Sequence, residues 1–574
     1  MSMFSRREII QILAAGVGAA ALKAHAGTPS NSSPFRAGGV SPLVPERIVE
    51  RFQSLPFESQ QIGGLLAKRM KVNVEHGLLH IDEAAYLSGF VHRPKEPVTS
   101  DLPPGDAAWM GEHIGKWLDA ASNSLRYSDN ADLRRLTDRM VAALVATQEP
   151  DGYLGTYAPN LRWTGWDVWT HKYNLIGLLS YYEMTGDPTA LVACRKMGDL
   201  LVRTFGDAPG QRDIAFNAAT APDLQFGTVG GVESTSILEP ICKLYRFTAD
   251  PRYLEFARYI LRAWQHPQAP DLVRLPIDAN SISRGKAYET LSNLVGLVDL
   301  YRITGDEVLL DAVMRDWEDI RRHQLYITGT ASSQENFQPP DCLLSLFSSG
   351  VGENCATVTW LQLNWRLLRL TGEARFGQEI ERTVYNQLLA AQDPLTGGFS
   401  YYTSLTGKKD FQSGLICCVS SGKRGLSLVP QVVWGLEESA FVINLYTSGR
   451  AFFEMHGVPV QVIAETRFPM EGNVSLTINS ERAVPFTLRL RVPEWALRFE
   501  VKLGSQTHLG TPGEMLDITQ NWAPASIVQI QMDLPTRVLS GSPTYPDYVA
   551  LSGWRPSAFF SYVGQKPSNR IFEN

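Results

Sequence analysis

The chain has 574 residues, 44% of them hydrophobic and 20% charged; that length exceeds what one hydrophobic core serves, and that balance excludes wholesale disorder. A net charge of −6 offers no basic face for nucleic acid. Gly and Pro, 47 and 34 residues, are too near ordinary usage for a collagen-like or low-complexity chain, and six scattered cysteines are too few for a disulfide scaffold.

The first predicted element is an export signal. Ser5-Arg6-Arg7-Glu8 is a twin-arginine pattern, followed by an apolar run from Ile12 to Leu22 and a small-x-small cleavage site at Ala24-His25-Ala26. The run falls short of the roughly 18 apolar residues that a bilayer needs, and no later segment could span one. Residues 1–26 therefore read as a twin-arginine signal peptide, with a periplasmic or secreted mature protein. Residues 27–45, rich in Ser, Pro and Gly, read as a linker. Twin-arginine export carries folded proteins, so a thiol-rich metal site could be loaded before it meets an oxidising compartment.

A helical phrase then recurs. Tyr181-Tyr182-Glu183-Met184-Thr185-Gly186-Asp187, Leu244–Asp250, Leu300–Asp306 and Leu368–Glu373 each end an apolar helix in a tight turn and an acidic N-cap, and an amphipathic helix follows. The threonines lie 63, 56 and 67 residues apart, too far and too unevenly for tetratricopeptide or HEAT arrays. The spacing suits helical hairpins separated by functional loops, and predicts an (α/α)6 barrel over residues 46–430. From AFVINLYTSG onward the period changes to short alternating runs such as PVQVIAETRF, NVSLTINS and FTLRLRVPEW, which predict a β-sandwich domain and tail over 431–574. The fold class is thus mainly α with a β domain; architecture of this kind does not by itself establish function.

Four features could carry chemistry. Gly352-Glu353-Asn354-Cys355 opens an apolar helix, where Glu353 and Cys355 can turn toward one ion. Cys417-Cys418 adds two thiols, and three sulfur donors with one oxygen suit a borderline-soft ion such as zinc. The pair also reads as a vicinal disulfide or two buried small hydrophobes. Glu335, in Ser332-Ser333-Gln334-Glu335-Asn336-Phe337, is a loop acid near aromatics. Polar groups and Trp alternate around Trp109, Glu112 and His113 and again from Trp166 to Tyr173, where His171 lies, as in a sugar subsite.

Together DGYLGTY, HKYNLIGLLSYYEMTGD, LYITG…SSQENF, GENCA…WLQLNWRLLRLTGEARF, the CC pair and FTLRLRVPEWA resemble glycoside hydrolase family 127 and its relatives, the β-L-arabinofuranosidases, from about residue 60 to 540. The resemblance implies an unusual retaining glycosidase whose zinc is held by Glu353, Cys355, Cys417 and Cys418, with Cys417 as nucleophile and Glu335 as general acid/base. A zinc-held thiolate would replace one member of the ordinary carboxylate pair.

The chain also departs from those relatives. Val419-Ser420-Ser421 follows CC where they carry prolines, and Ser234 and Lys286 stand where they carry sugar-contacting histidines. Glu289, beside Lys286, is expected to shape a different subsite, and a second sandwich found in some relatives is expected to be absent. These differences bear on the sugar more than on the zinc site. The expected substrate contacts are therefore Trp109, Glu112, His113, His171, Lys286 and Glu289. Two other readings stay open: a non-catalytic carbohydrate-binding protein with structural zinc, and a zinc-free (α/α)-barrel lyase or hydrolase using Asp151, Asp167 or His171.

Overall fold

The structure is a computed structural model that describes residues 39–94, 109–215, 231–267, 269–339, 350–404, 408–540, 549–553 and 562–563. The expected signal peptide, most of the linker and Cys342 lie outside the described residues. The chain divides into two compact units.

The first unit comprises Val74–Asp316 and Gln412–Arg424, with the described residues up to Ile48. It is built of helical hairpins, and the recurring phrase makes their turns. Helix Asp167–Thr185 ends at Gly186 (φ 72°), and the Asp187 carboxylate accepts from the Thr189 N–H to start Pro188–Thr204. The threonine has a part in this turn. Its hydroxyl donates to the Tyr181 carbonyl at 2.8 Å and accepts from the Asp187 N–H at 3.1 Å, satisfying one group from each helix end. Thr248 and Asp250 repeat the device. There, however, Ala249 occupies the left-handed position at φ 54°. A Cβ is disfavoured in that region, so Ala249→Gly is expected to raise stability by about 0.5–1 kcal/mol in denaturant unfolding; an unchanged or lower midpoint would contradict this.

Helices Asp167–Thr185 and Ala287–Thr304 are buried along most of their length, whereas Pro188–Thr204 and Pro251–Ala263 bury one side only, as inner and outer members of hairpins should. Helix Glu112–Tyr127 crosses Asp167–Thr185 at two glycines. A Cβ on Gly115 would lie 2.0 Å from the Tyr173 carbonyl oxygen, and one on Gly177 would lie 2.5 Å from that of Gly115. This close approach brings Glu112 to Trp169.

The second unit comprises Val49–Asn73, Trp317–Phe411 and the described residues from Gly425 onward. Its strands form two larger sheets. One runs Gln53–Ser54, Trp434–Glu437, Ala440–Ile443, Val484–Arg491, Met515–Trp522; the other runs Gln506–Leu509, Phe499–Leu503, Ser526–Met532, Asn473–Ser480, Val458–Thr466, Gly449–Met455, Gln60–Ile62. Alternate residues such as Val460, Val462, Leu476, Ile478, Leu488 and Leu490 are buried, the pattern of half-buried strands. Two edge strands, Gln53–Ser54 and Gln60–Ile62, come from the segment before the helices, which the sequence reading did not foresee. Helix Ala374–Arg382 is tied to this sandwich by fully buried Arg491. Its guanidinium donates to the Asn444 carbonyl and to Gln378 Oε1, both at 2.6 Å, and to Glu381.

Candidate active site

In the helical unit, the first turn of Glu112–Tyr127 presents Glu112 and His113, both buried. Glu112 pairs with Lys116 at 2.9 Å, the i,i+4 spacing, and accepts from the Trp169 indole N–H. Burial pushes the Glu112 carboxyl upward against the pull of Lys116. His113 Nδ1 shares a 2.9 Å hydrogen bond with the Ser420 hydroxyl, two residues past Cys418. Burial, helped by Lys116, pulls His113 down to about 3, so the ring is neutral near pH 7.

Lysines on this unit are clothed in aromatic rings. Lys116 Nζ lies 4.7 Å and 5.1 Å from the ring centroids of Tyr173 and Tyr288, and Lys172 Nζ lies 4.3 Å from Trp169 and 4.9 Å from Tyr173. Burial pulls Lys172 down to about 7. Arg424 pairs with Asp119 at 2.8 Å and fastens helix Cys417–Leu428 to Glu112–Tyr127.

In the second unit, Glu335 lies in a loop at φ 65°, directly after Gln334 at φ 49°. Two consecutive non-glycine residues in the left-handed region cost free energy, and such conformations collect at functional sites. Neighbouring bonds hold the turn, among them Gln334 N–H to the Gly350 carbonyl at 2.7 Å. The Glu335 carboxylate accepts from the Tyr401 hydroxyl and, at 3.4 Å, from that of Tyr402. Glu353 is buried at the N-cap of helix Asn354–Thr371, with Cys355 in its first turn, as the GENC motif predicts.

The thiols of Cys355, Cys417 and Cys418 all lie within 4.8 Å of one another. Cys355 and Cys418 are buried, and Cys417 is half-buried at the start of its helix. The three are free thiols, which disposes of the vicinal-disulfide reading of the CC pair. Their chemistry fits a zinc-like ion. Tetrahedral ligand sulfurs about 2.3 Å from zinc are roughly 3.8 Å apart, and the Cys417 and Cys418 sulfurs are 4.0 Å apart. The metal-holding group so formed, among the described residues, contains the three sulfurs and not the Glu353 carboxylate.

Residues 68–431 match the family described as beta-L-arabinofuranosidase, GH127 catalytic domain, and residues 440–535 match the GH127 middle domain. The chain belongs to the GH127 β-L-arabinofuranosidase family. It is 23% identical over 451 residues to the non-reducing end beta-L-arabinofuranosidase of Bifidobacterium longum subsp. longum, covering 67% of this chain and 64% of that relative's length. Among solved structures it resembles the GH127 beta-arabinofuranosidase BT3674, with a TM-score of 0.73 and 22% identity over 88% of this chain and 85% of that one. Ara127N-Se, a GH127 beta-L-arabinofuranosidase from Geobacillus stearothermophilus T6, gives 0.72 and 20% over 87% and 85%. At these identities the likeness shows the fold: the expected (α/α)6 barrel followed by a β-sandwich.

Within this GH127 chain His171 is buried among protein partners: Nδ1 donates to the Asp167 carbonyl at 2.9 Å, Nε2 accepts from the Leu154 N–H at 3.3 Å, and the ring packs between Tyr153 and Trp163. The helical i,i−4 bond and the DGYLGTY loop use both its nitrogens. The acids of the zinc-free reading are similarly occupied. Asp167 accepts from the Tyr153 hydroxyl and the Trp163 N–H, and Asp151 pairs with Arg162. Trp109 is half-buried in the turn before Glu112, Lys286 is half-buried at the N-cap of Ala287–Thr304, and Glu289 is buried in that helix's first turn. Trp169 and Lys172 lie in the Trp166–Tyr173 phrase that the sequence marked, whereas Lys116, Tyr401 and Tyr402 escaped it. A helix-facing stripe could have flagged Lys116; only FSYYTS marks the tyrosines.

Proposed function

We propose that this GH127 chain is an exported, zinc-dependent retaining glycoside hydrolase acting on terminal β-L-arabinofuranosides of glycans. The observation that carries the reading is the cluster of Cys355, Cys417 and Cys418. Glu353, two residues before Cys355, is the proposed fourth donor. A bound zinc ion supplies the charge that keeps these thiols ionised near neutral pH. The remaining steps belong to the chain. The Cys417 sulfur attacks the anomeric carbon while Glu335 gives its proton to the leaving oxygen, which departs with the electron pair of the broken C–O bond. Glu335 then takes a proton from water, whose oxygen displaces the sulfur, so configuration is retained. Trp109, Glu112, His113, Lys286 and Glu289 are the proposed sugar contacts, with His113 as a neutral hydrogen-bonding ring. The twin-arginine segment supports periplasmic or secreted placement, and among the described residues no helix is long and apolar enough to cross a membrane.

The test is the metal content of the mature protein, purified with its thiols protected, beside Cys418→Ser. About one zinc per chain is expected, lost in the variant while the fold persists. A zinc-free parent protein would remove the basis for a metal-held thiolate. Zinc without hydrolysis of any aryl glycoside would favour the structural-zinc, carbohydrate-binding reading.

A further inference from the structure

We propose that Tyr401 and Tyr402 are positioning residues for the general acid/base: their hydroxyls engage one oxygen of Glu335, Oε1, and so assign the transferred proton to the other, Oε2. The inference rests on the glycosidase reading above and goes beyond it, because the resemblance assigns these tyrosines no role.

Three observations converge. Both phenol hydroxyls donate to the same atom, Glu335 Oε1, from Tyr401 and, at 3.4 Å, from Tyr402. A carboxylate oxygen has two lone-pair directions in its plane, so two donors fill it, and a proton on Oε1 would have to displace one of them. The rings also brace one another, with centroids 4.7 Å apart at 50°. Finally, their backbone is stitched to the start of the Cys355 helix. The Asn354 N–H donates to the Tyr401 carbonyl at 3.0 Å, the Thr403 N–H donates to the Gly352 carbonyl at 3.0 Å, and Tyr402 forms a β-bridge with Glu353. Residues 401–403 thus join the carboxylate that moves the proton to the segment that starts the metal-binding helix. Glu335 itself sits in a left-handed turn that costs free energy, so its aim depends on contacts beyond its own backbone.

In the first half-reaction the Oε2 proton passes to the leaving oxygen as the C–O bond breaks toward that oxygen. In the second, Oε2 receives a proton from water. The tyrosines exchange no proton in either step; their hydroxyls act through Glu335.

The readout is the leaving group. A dinitrophenolate departs without a proton, whereas an alkoxide needs one, so misplacing the acid should harm only the second. For Tyr401→Phe and the double variant Tyr401→Phe/Tyr402→Phe, kcat/KM is measured on methyl and dinitrophenyl β-L-arabinofuranosides. The methyl glycoside is expected to lose about 10-fold in the single variant and up to about 100-fold in the double, a fraction of what a whole general acid contributes. The dinitrophenyl glycoside should stay within about twofold, which also shows that the nucleophile and fold are intact. Equal losses on both substrates, or none on either, would overturn the inference. A parent protein that hydrolyses neither glycoside would overturn the proposed function itself, and the inference with it.

Discussion

Glu335→Gln is expected to lower kcat/KM for an alkyl β-L-arabinofuranoside by about 10²–10⁴-fold, the range a positioned general acid supplies. The replacement is isosteric and its amide oxygen can still accept from Tyr401 and Tyr402, but it carries no transferable proton. Cys417→Ser should abolish turnover, because a serine hydroxyl is not ionised where a thiol would be and is the weaker nucleophile. Both side chains are only half-buried, so both variants are expected to fold. Initial rates, paired with thermal unfolding as a check of integrity, decide the matter. Full activity in either variant would remove that residue from the mechanism.

Arg491→Leu is expected to cost about 3–5 kcal/mol of stability, the usual penalty for leaving one member of a buried ion pair behind. Arg491 and Glu381 are both buried. The guanidinium also holds the Asn444 carbonyl and Gln378, so removal takes a donor from three acceptors, of which Gln378 keeps the Glu494 N–H at 3.2 Å. Glu381 would keep only the Trp495 indole N–H, at 2.6 Å, among these partners. A double variant, Arg491→Leu/Glu381→Leu, should lose less than the single one, since no buried charge is then uncompensated. Urea unfolding of the three proteins measures the difference. A single-variant loss below about 1 kcal/mol would show that this pair does not hold helix Ala374–Arg382 to the sandwich.

How far each feature was legible in the sequence follows the range of the interactions that make it. The Thr-Gly-Asp turns could be read because their bonds stay local: Thr185 reaches Tyr181 and Asp187, and Asp187 reaches Thr189. The sandwich strands could be read because alternation needs only adjacent residues, as in Val458–Thr466. Glu353 and Cys355 could be placed at a helix start for the same reason. By itself, then, the sequence determined the hairpins, the strands and the kinds of residue able to hold a soft metal. The tertiary structure alone decided which of them meet. Cys355 and Cys417 are about 60 residues apart in the chain, yet their sulfurs lie within 4.8 Å. His171 meets the DGYLGTY loop, whose Leu154 N–H donates to its second nitrogen. Gln53–Ser54 and Gln60–Ile62 are too short to signal strands and exist only because sheet edges hundreds of residues away accept them. Tyr401 joins Glu335 across 66 residues. Such pairings leave no local period, because burial and the need to satisfy every buried polar group choose them only once the elements have packed.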